Sequence, residues 1–250
     1  MTNVAKMHKF LSGFDRYNKT LPIYVESPFS EDQILELKEA ISLIKNTPLA
    51  SHPLPGDKEE FISTTSRLEP RLMTHMSRLI VEFDCPESVE KVMDSYSKPL
   101  HKDEIKLAHY SYIDYDLKYG DGRYEPTLPP HIDSTENLVT FNYQLGGNID
   151  WDIYINNQPY SLKTGDAIIF SAVNQVHWRP KREWREGDFL EIVTFDYCPA
   201  ADWALTGEED PIDPLKRPEA HKEYLEGLKE RIEFTSAWDM YNSLAKNIGK

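Results

Sequence analysis

The period of the apolar positions changes along the chain. Ile34, Leu37, Ile41 and Ile44 recur at helical spacing behind Ser30-Glu31-Asp32-Gln33, which has the form of a capping box, and this predicts a helix. Leu72, Met76, Leu79 and Phe83 fall three and four apart behind Pro70, a residue suited to a first turn. That stripe predicts a second helix over residues 70–83, with His75 beside it as a surface or packing residue. A further helix is expected over residues 88–96, and residues 21–25 read as a short strand.

After His101 the texture changes. Segments 105–113, 138–145, 152–155, 160–162, 167–170 and 189–197 are short and rich in aromatic and branched residues. Turn sequences separate them: Gly120-Asp121-Gly122, Gly146-Gly147-Asn148, Asn156-Asn157 and Thr164-Gly165-Asp166. Many short strands at this spacing predict a sandwich or a double-sheet jelly roll. An acidic connector over residues 207–214 leads to helical patterning over 219–233 and to Trp238, Tyr241 and Leu244 on one face. The chain therefore reads as a single domain over residues 1–250: a mainly helical support over 1–100, a β core over 101–200, and a helical extension over 201–250 that braces the sheet from outside.

Composition narrows the setting. A formal charge of −14 argues against a protein that holds bulk nucleic acid through phosphate contacts, although residues 179–185 carry four basic residues beside Trp178 and Trp184. That stretch reads as a solvated loop, or alternatively as a surface that stacks on a substrate. Two cysteines, Cys85 and Cys198, are too few for a disulfide framework and fit a reducing, cytoplasmic compartment. No apolar run approaches the roughly 18 residues of a membrane helix, and no secretory signal is evident at the start.

The candidate chemistry lies in His131-Ile132-Asp133 and the distant His177. On a strand, positions 131 and 133 point to the same face, so an imidazole and a carboxylate can grip one ion together. A second imidazole from a neighbouring strand would complete three corners of an octahedron and leave the other positions open, the pattern of a mononuclear non-haem iron site.

In this order the residues resemble the iron(II)- and 2-oxoglutarate-dependent oxygenase family, most of all its prolyl-hydroxylase-like branch. The resemblance rests on Tyr110-Ser111-Tyr112, a glycine-bearing loop, His131-Ile132-Asp133, the strand Val139-Thr140-Phe141-Asn142-Tyr143, Gly165-Asp166 before Ala167-Ile168-Ile169-Phe170, His177, and a last strand over 189–197. It spans residues 105–197 of the 250. It implies a mainly β fold with flanking helices, a double-stranded β-helix (jelly roll) with the metal at one mouth. It further implies His131, Asp133 and His177 as ligands of Fe(II), with 2-oxoglutarate as cosubstrate and dioxygen as oxidant. The implied reaction hydroxylates a substrate C–H and releases succinate and carbon dioxide. Related halogenases replace the carboxylate ligand by a small residue to admit halide, so Asp133 favours hydroxylation.

The family's usual cation for the far carboxylate of 2-oxoglutarate stands at the start of the last strand. Here that stretch reads Gly187-Asp188-Phe189-Leu190 and has none. The candidates are Arg185, nearest to the expected strand start, then Arg182 and Arg179, with Tyr112, Tyr143 and Thr194 as hydroxyl donors. Residues 115–130, leading into the metal motif, are the candidate mobile lid. The substrate class stays open between a protein side chain and a small molecule. Two other readings compete: a jelly-roll binding module without redox chemistry, and a cupin-like metalloenzyme that does not use 2-oxoglutarate.

Overall fold

The computed structural model describes residues 21–45, 71–73, 76–101, 105–120, 122, 124–131, 133, 137–156, 158–172 and 175–199. The helices expected after residue 200 lie outside the described residues, as does His75.

Strand β1 (Ile23–Val25) leads into helix α1 (Glu31–Lys45). The capping box forms as the sequence predicts: Gln33 N–H donates to Ser30 Oγ at 3.3 Å, and Ser30 N–H donates to Gln33 Oε1 at 2.9 Å. Leu37 and Ile41 are buried, with Ile34 and Ile44 packed beside them. Helix α2 (Glu87–His101) covers the expected residues 88–96 and runs further at its C-terminal end.

The helix expected over residues 70–83 is instead a hairpin of β2 (Arg71–Met73) and β3 (Arg78–Glu82). Leu79 and Phe83 are four apart, so they share a face under either a helical or a strand period. Val81 decides between the two: Leu79, Val81 and Phe83 are all buried, while Ile80 and Glu82 are only partly so. Pairing of β3 with β4 (Ile105–Asp116), Val81 opposite Tyr112, overrides local helical spacing. Strands from the first hundred residues thus extend the sheet beside the two helices.

The remaining strands are β5 (Leu128–His131), β6 (Val139–Gly147), β7 (Ile153–Ile155), β8 (Gln158–Tyr160), β9 (Ala167–Phe170), β10 (His177–Arg179) and β11 (Phe189–Pro199). They form two antiparallel sheets, one ordered β1-β9-β6-β11-β4-β3-β2 and the other β5-β10-β7-β8. Strands β4 to β11 alternate between the sheets except at the β7–β8 hairpin, with β4, β6, β9 and β11 in the larger and β5, β7, β8 and β10 in the smaller. This is the double-stranded β-helix expected above.

Pleating gives the larger sheet two different faces. One carries Tyr112, Phe141, Tyr143, Val193 and Phe195 and packs in a single core with Leu37 and Ile41 of α1 and Val89 and Met93 of α2. The other looks at the smaller sheet, where Ile168 and Phe170 meet Ile153 and Ile155, and Tyr115, Leu190 and Ile192 meet Trp151 and Trp184. Between these two apolar patches the same face is polar: Ser111, Thr140, Asn142, Gln144, Thr194 and Asp196 are all buried.

The expected lid over residues 115–130 is tied down at both ends. Tyr115 and Asp116 belong to β4, Leu117–Tyr119 is a 3-10 turn, and Leu128 to Pro130 belong to β5. Gly120 packs so closely that an added Cβ would stand 2.7 Å from the Tyr124 carbonyl oxygen.

Leu37 is wholly buried between α1 and the sheet, whereas Leu43 on the same helix is 78% exposed. Urea unfolding should show Leu37→Ala losing about 2–5 kcal/mol, and Leu43→Ala changing stability by under about 0.5 kcal/mol.

Candidate metal centre

Strand β10 pairs with β5 on one side and β7 on the other, and its register sets His177 opposite both His131 and Ile155. β5 is an edge strand of the sequence Leu-Pro-Pro-His, and its register with β10 shifts across the two prolines, which lack N–H donors. The chain leaves β5 at His131, and the Asp133 N–H donates to the Ala172 carbonyl at 3.0 Å, tying the metal motif to the end of β9.

The Asp133 and His177 side chains converge, with His177 Nε2 at 3.8 Å from Asp133 Oδ2. This is long for a hydrogen bond. Two donors that share one ion, each roughly 2.1 Å from it, stand up to about 4.2 Å apart, so the spacing fits a shared metal. His177 is buried, and Asp133 keeps 23% of its side chain exposed, as an opening to substrate requires. Among the described side chains no group of three His, Cys, Asp or Glu converges; His131 joins the pair through its backbone register opposite His177.

Two neighbours orient these side chains, and sequence reasoning missed both. Asn137 Nδ2 donates to Asp133 Oδ2 at 3.1 Å. The Gln175 carbonyl lies 3.1 Å from His177 Nδ1; with the proton on Nδ1, the Nε2 lone pair faces Asp133. Gln175 is itself held, its Oε1 accepting from Ser171 N–H at 2.8 Å and its Nε2 donating to the Leu21 carbonyl at 3.2 Å. The ring of Phe170 meets His177 edge-on, with centroids 4.9 Å apart, and walls the imidazole from one side.

Beside this pair lies a carboxylate that the sequence did not single out. Asp196 is buried, accepts from Thr140 Oγ1 at 2.6 Å and lies 3.3 Å from His109 Nε2. Burial pushes its carboxyl up to about 6, helped by the charge of Asp133 and opposed by His109 and by the Thr140 and Thr194 hydroxyls. The pattern Val-Thr-Phe-Asn-Tyr-Gln over residues 139–144 held the signal. Its apolar positions serve the helices, and its polar positions face the space between the sheets.

The candidates for the cosubstrate carboxylate separate clearly. Arg185 is exposed, and its backbone N–H donates to Asp188 at 3.0 Å. Arg182 pairs with the same Asp188 carboxylate at 3.2 Å and lies over the Trp184 ring. Tyr112 and Tyr143 point to the helix-facing side, where Tyr112 bonds Glu191 and Lys45, and Tyr143 packs edge-on against Phe29. Thr194 lies on the inner face opposite Asn142 and Ser111.

Arg179 points inward. It is fully buried, lies over the Trp151 ring at 5.4 Å and donates from Nη1 to the Trp151 carbonyl. Among the described residues its Nε and Nη2 have no hydrogen-bond partner, and neither does the buried Trp184 Nε1. Burial lowers the guanidinium to about 10. The Trp178 ring is instead stacked on Tyr154 at 5.0 Å.

No family model matches the chain, and no curated protein matches it. Solved structures do. The non-heme alpha ketoglutarate dependent epimerase SnoN from nogalamycin biosynthesis is similar with a TM-score of 0.50 at 11% identity, over 72% of this chain and 78% of that one. A prolyl hydroxylase from Trichoplax adhaerens, solved with a hypoxia inducible factor peptide, is similar with a TM-score of 0.50 at 14% identity, over 81% of this chain and 96% of that one. At these identities the likeness establishes a shared fold, and it agrees with the double-stranded β-helix traced above.

Asn137→Ala should weaken Mn(II) binding about 10-fold or more in a calorimetric titration, because Asp133 loses the donor that orients it. Asp196 yields a pH test in protein stripped of metal. Between pH 4 and 6 the folded state keeps a proton on Asp196 that the unfolded chain releases, so this group costs stability as pH rises through that window. Asp196→Asn removes the cost. Paired unfolding curves should show the variant gaining roughly 1–3 kcal/mol on wild type between pH 4.5 and 7.

Proposed function

We propose that this chain is an iron(II)- and 2-oxoglutarate-dependent dioxygenase that hydroxylates an organic substrate. The convergence of Asp133 and His177 beside His131 at one mouth of the β-helix carries this reading. Held there, iron(II) with 2-oxoglutarate and dioxygen supplies the oxidising power to place oxygen on a substrate C–H, with succinate and carbon dioxide as co-products.

The protein's own part is geometric and electrostatic. His131, Asp133 and His177 would hold the ion, and a set of only three protein donors would leave it open to cosubstrate and oxygen. Gln175 keeps the proton of His177 on Nδ1, so Nε2 is a permanent donor. Asp133 contributes the negative charge that makes the site selective for a cation, and Asn137 holds it in place. Phe170 excludes water from the His177 side. A carboxylate at position 133 occupies the place a halide would need, which supports hydroxylation over halogenation.

The prolyl hydroxylase of similar fold was solved in complex with a peptide fragment, and the proposal extends to this chain a protein side chain or a small molecule. The net charge of −14 makes bulk nucleic acid a poor partner. No helix among the described residues is long and apolar enough to cross a membrane, and the two cysteines, with Cys85 free, support placing the enzyme in the cytoplasm.

Adding iron(II) and then 2-oxoglutarate without oxygen should produce the weak visible band of a chelated keto acid, and His177→Ala should abolish it. Iron binding without the band would point to a cupin-like enzyme that does not use 2-oxoglutarate. Absence of metal binding would point to a binding module. With oxygen admitted, succinate release across a substrate panel identifies the substrate.

A further inference from the structure

We propose that Arg179, on the strand that carries His177, receives the far carboxylate of 2-oxoglutarate, with the Trp184 indole N–H as a second donor. This rests on the oxygenase reading above and replaces a cation at the start of the last strand by one on the strand of the distal ligand.

Three observations lead there. Position 179 lies two residues beyond His177 on β10, about 7 Å along the strand and on the same buried face. A dicarboxylate chelating the metal at its keto-acid end, beside His177, therefore extends its other end towards this side chain. Arg179 also forms no ion pair among the described residues, and Asp152 reaches it only as a neighbouring charge. It is 3% exposed, lies over the Trp151 ring, which itself packs against Tyr115 and Trp184, and leaves Nε and Nη2 unpartnered among the described residues. A bare guanidinium in such surroundings is costly unless an anion joins it, and Nε with Nη2 is one edge of the fork that grips a carboxylate through two bonds.

Trp184 Nε1 supplies the third observation. It is an N–H donor with no acceptor, buried in the same cluster, and its ring meets Trp151 edge-on at 5.1 Å. Three donors without acceptors, on two residues that both touch the Trp151 ring, call for an acceptor-only ligand, and a carboxylate is one. Arg182 and Arg185 do not compete for the role, since one is engaged by Asp188 and the other faces solvent.

The test compares two keto acids on Mn(II)-loaded protein without oxygen, read by intrinsic tryptophan fluorescence and by calorimetry. 2-Oxoglutarate has the far carboxylate; 2-oxobutyrate has the same chelating end and lacks it. Arg179→Met should weaken 2-oxoglutarate about 30-fold or more while moving 2-oxobutyrate by less than about threefold. Trp184→Phe, which keeps the ring and removes the N–H, should weaken 2-oxoglutarate alone by about three- to tenfold. Unchanged 2-oxoglutarate affinity in Arg179→Met, or an equal loss for both keto acids, overturns the assignment. If Arg179→Met does not unfold cooperatively, Arg179→Lys and Trp184→Phe decide by the same comparison. Wild-type protein that binds Mn(II) but neither keto acid would sink the oxygenase reading; wild type that binds both, with variants that match it, would sink only the role of Arg179.

Discussion

The antiparallel pairing of β10 with β5 is the contact on which the site depends. It puts His177 opposite His131, and a slip of one residue would turn every side chain of β10 to the other face. A strand of three residues next to a proline-bearing edge strand has little pairing of its own to resist such a slip. The register is fixed from outside the pair. β7 holds His177 against Ile155, the Asn156 N–H donates to the Val176 carbonyl at 2.9 Å, and Gln175 closes the preceding loop onto Ser171. The ligand spacing is therefore a property of the whole smaller sheet.

The larger sheet answers with a division of labour between its faces. Its outer face is apolar and aromatic, and helices α1 and α2 seal it. Its inner face pairs two apolar patches with a polar middle, where Asn142 Oδ1 also lacks a partner among the described residues. Buried polar atoms left open in this way work against stability. Asn142 Oδ1, Arg179 Nε and Nη2 and Trp184 Nε1 are of this kind on the inner side of the sheets, while Ser97 Oγ, Asp114 Oδ1 and Asn156 Oδ1 are of the same kind elsewhere. The open donors of Arg179 and Trp184 are the ones that a small anionic ligand would satisfy.

Much of this was legible in the residues. The capping box and the apolar stripe of α1 are local features, and the structure reproduces them. Most strands of the β core follow from aromatic and branched runs between glycine turns. The failures have physical causes. Residues 70–83 carry an apolar spacing that satisfies both periods at Leu79 and Phe83, and only pairing with β4 selects the strand. β5 was hidden because prolines argue against a strand until its edge position is known. For the site, His-x-Asp and His177 stood out by residue type and order. Asn137, Gln175 and Asp196 did not, because their roles come from contacts across the fold rather than from neighbours in sequence. Arg179 stood among the candidates, but only the facing of β10 distinguishes its inward guanidinium from the exposed Arg185.

The most direct measurement is a crystal structure of the protein grown without oxygen with Mn(II) and 2-oxoglutarate. The account predicts one ion held by the imidazoles of His131 and His177 and by Asp133, with the keto acid chelated on its open side between the two sheets. An ion bound away from these three residues, or a 2-oxoglutarate lying outside the β-helix, would contradict it.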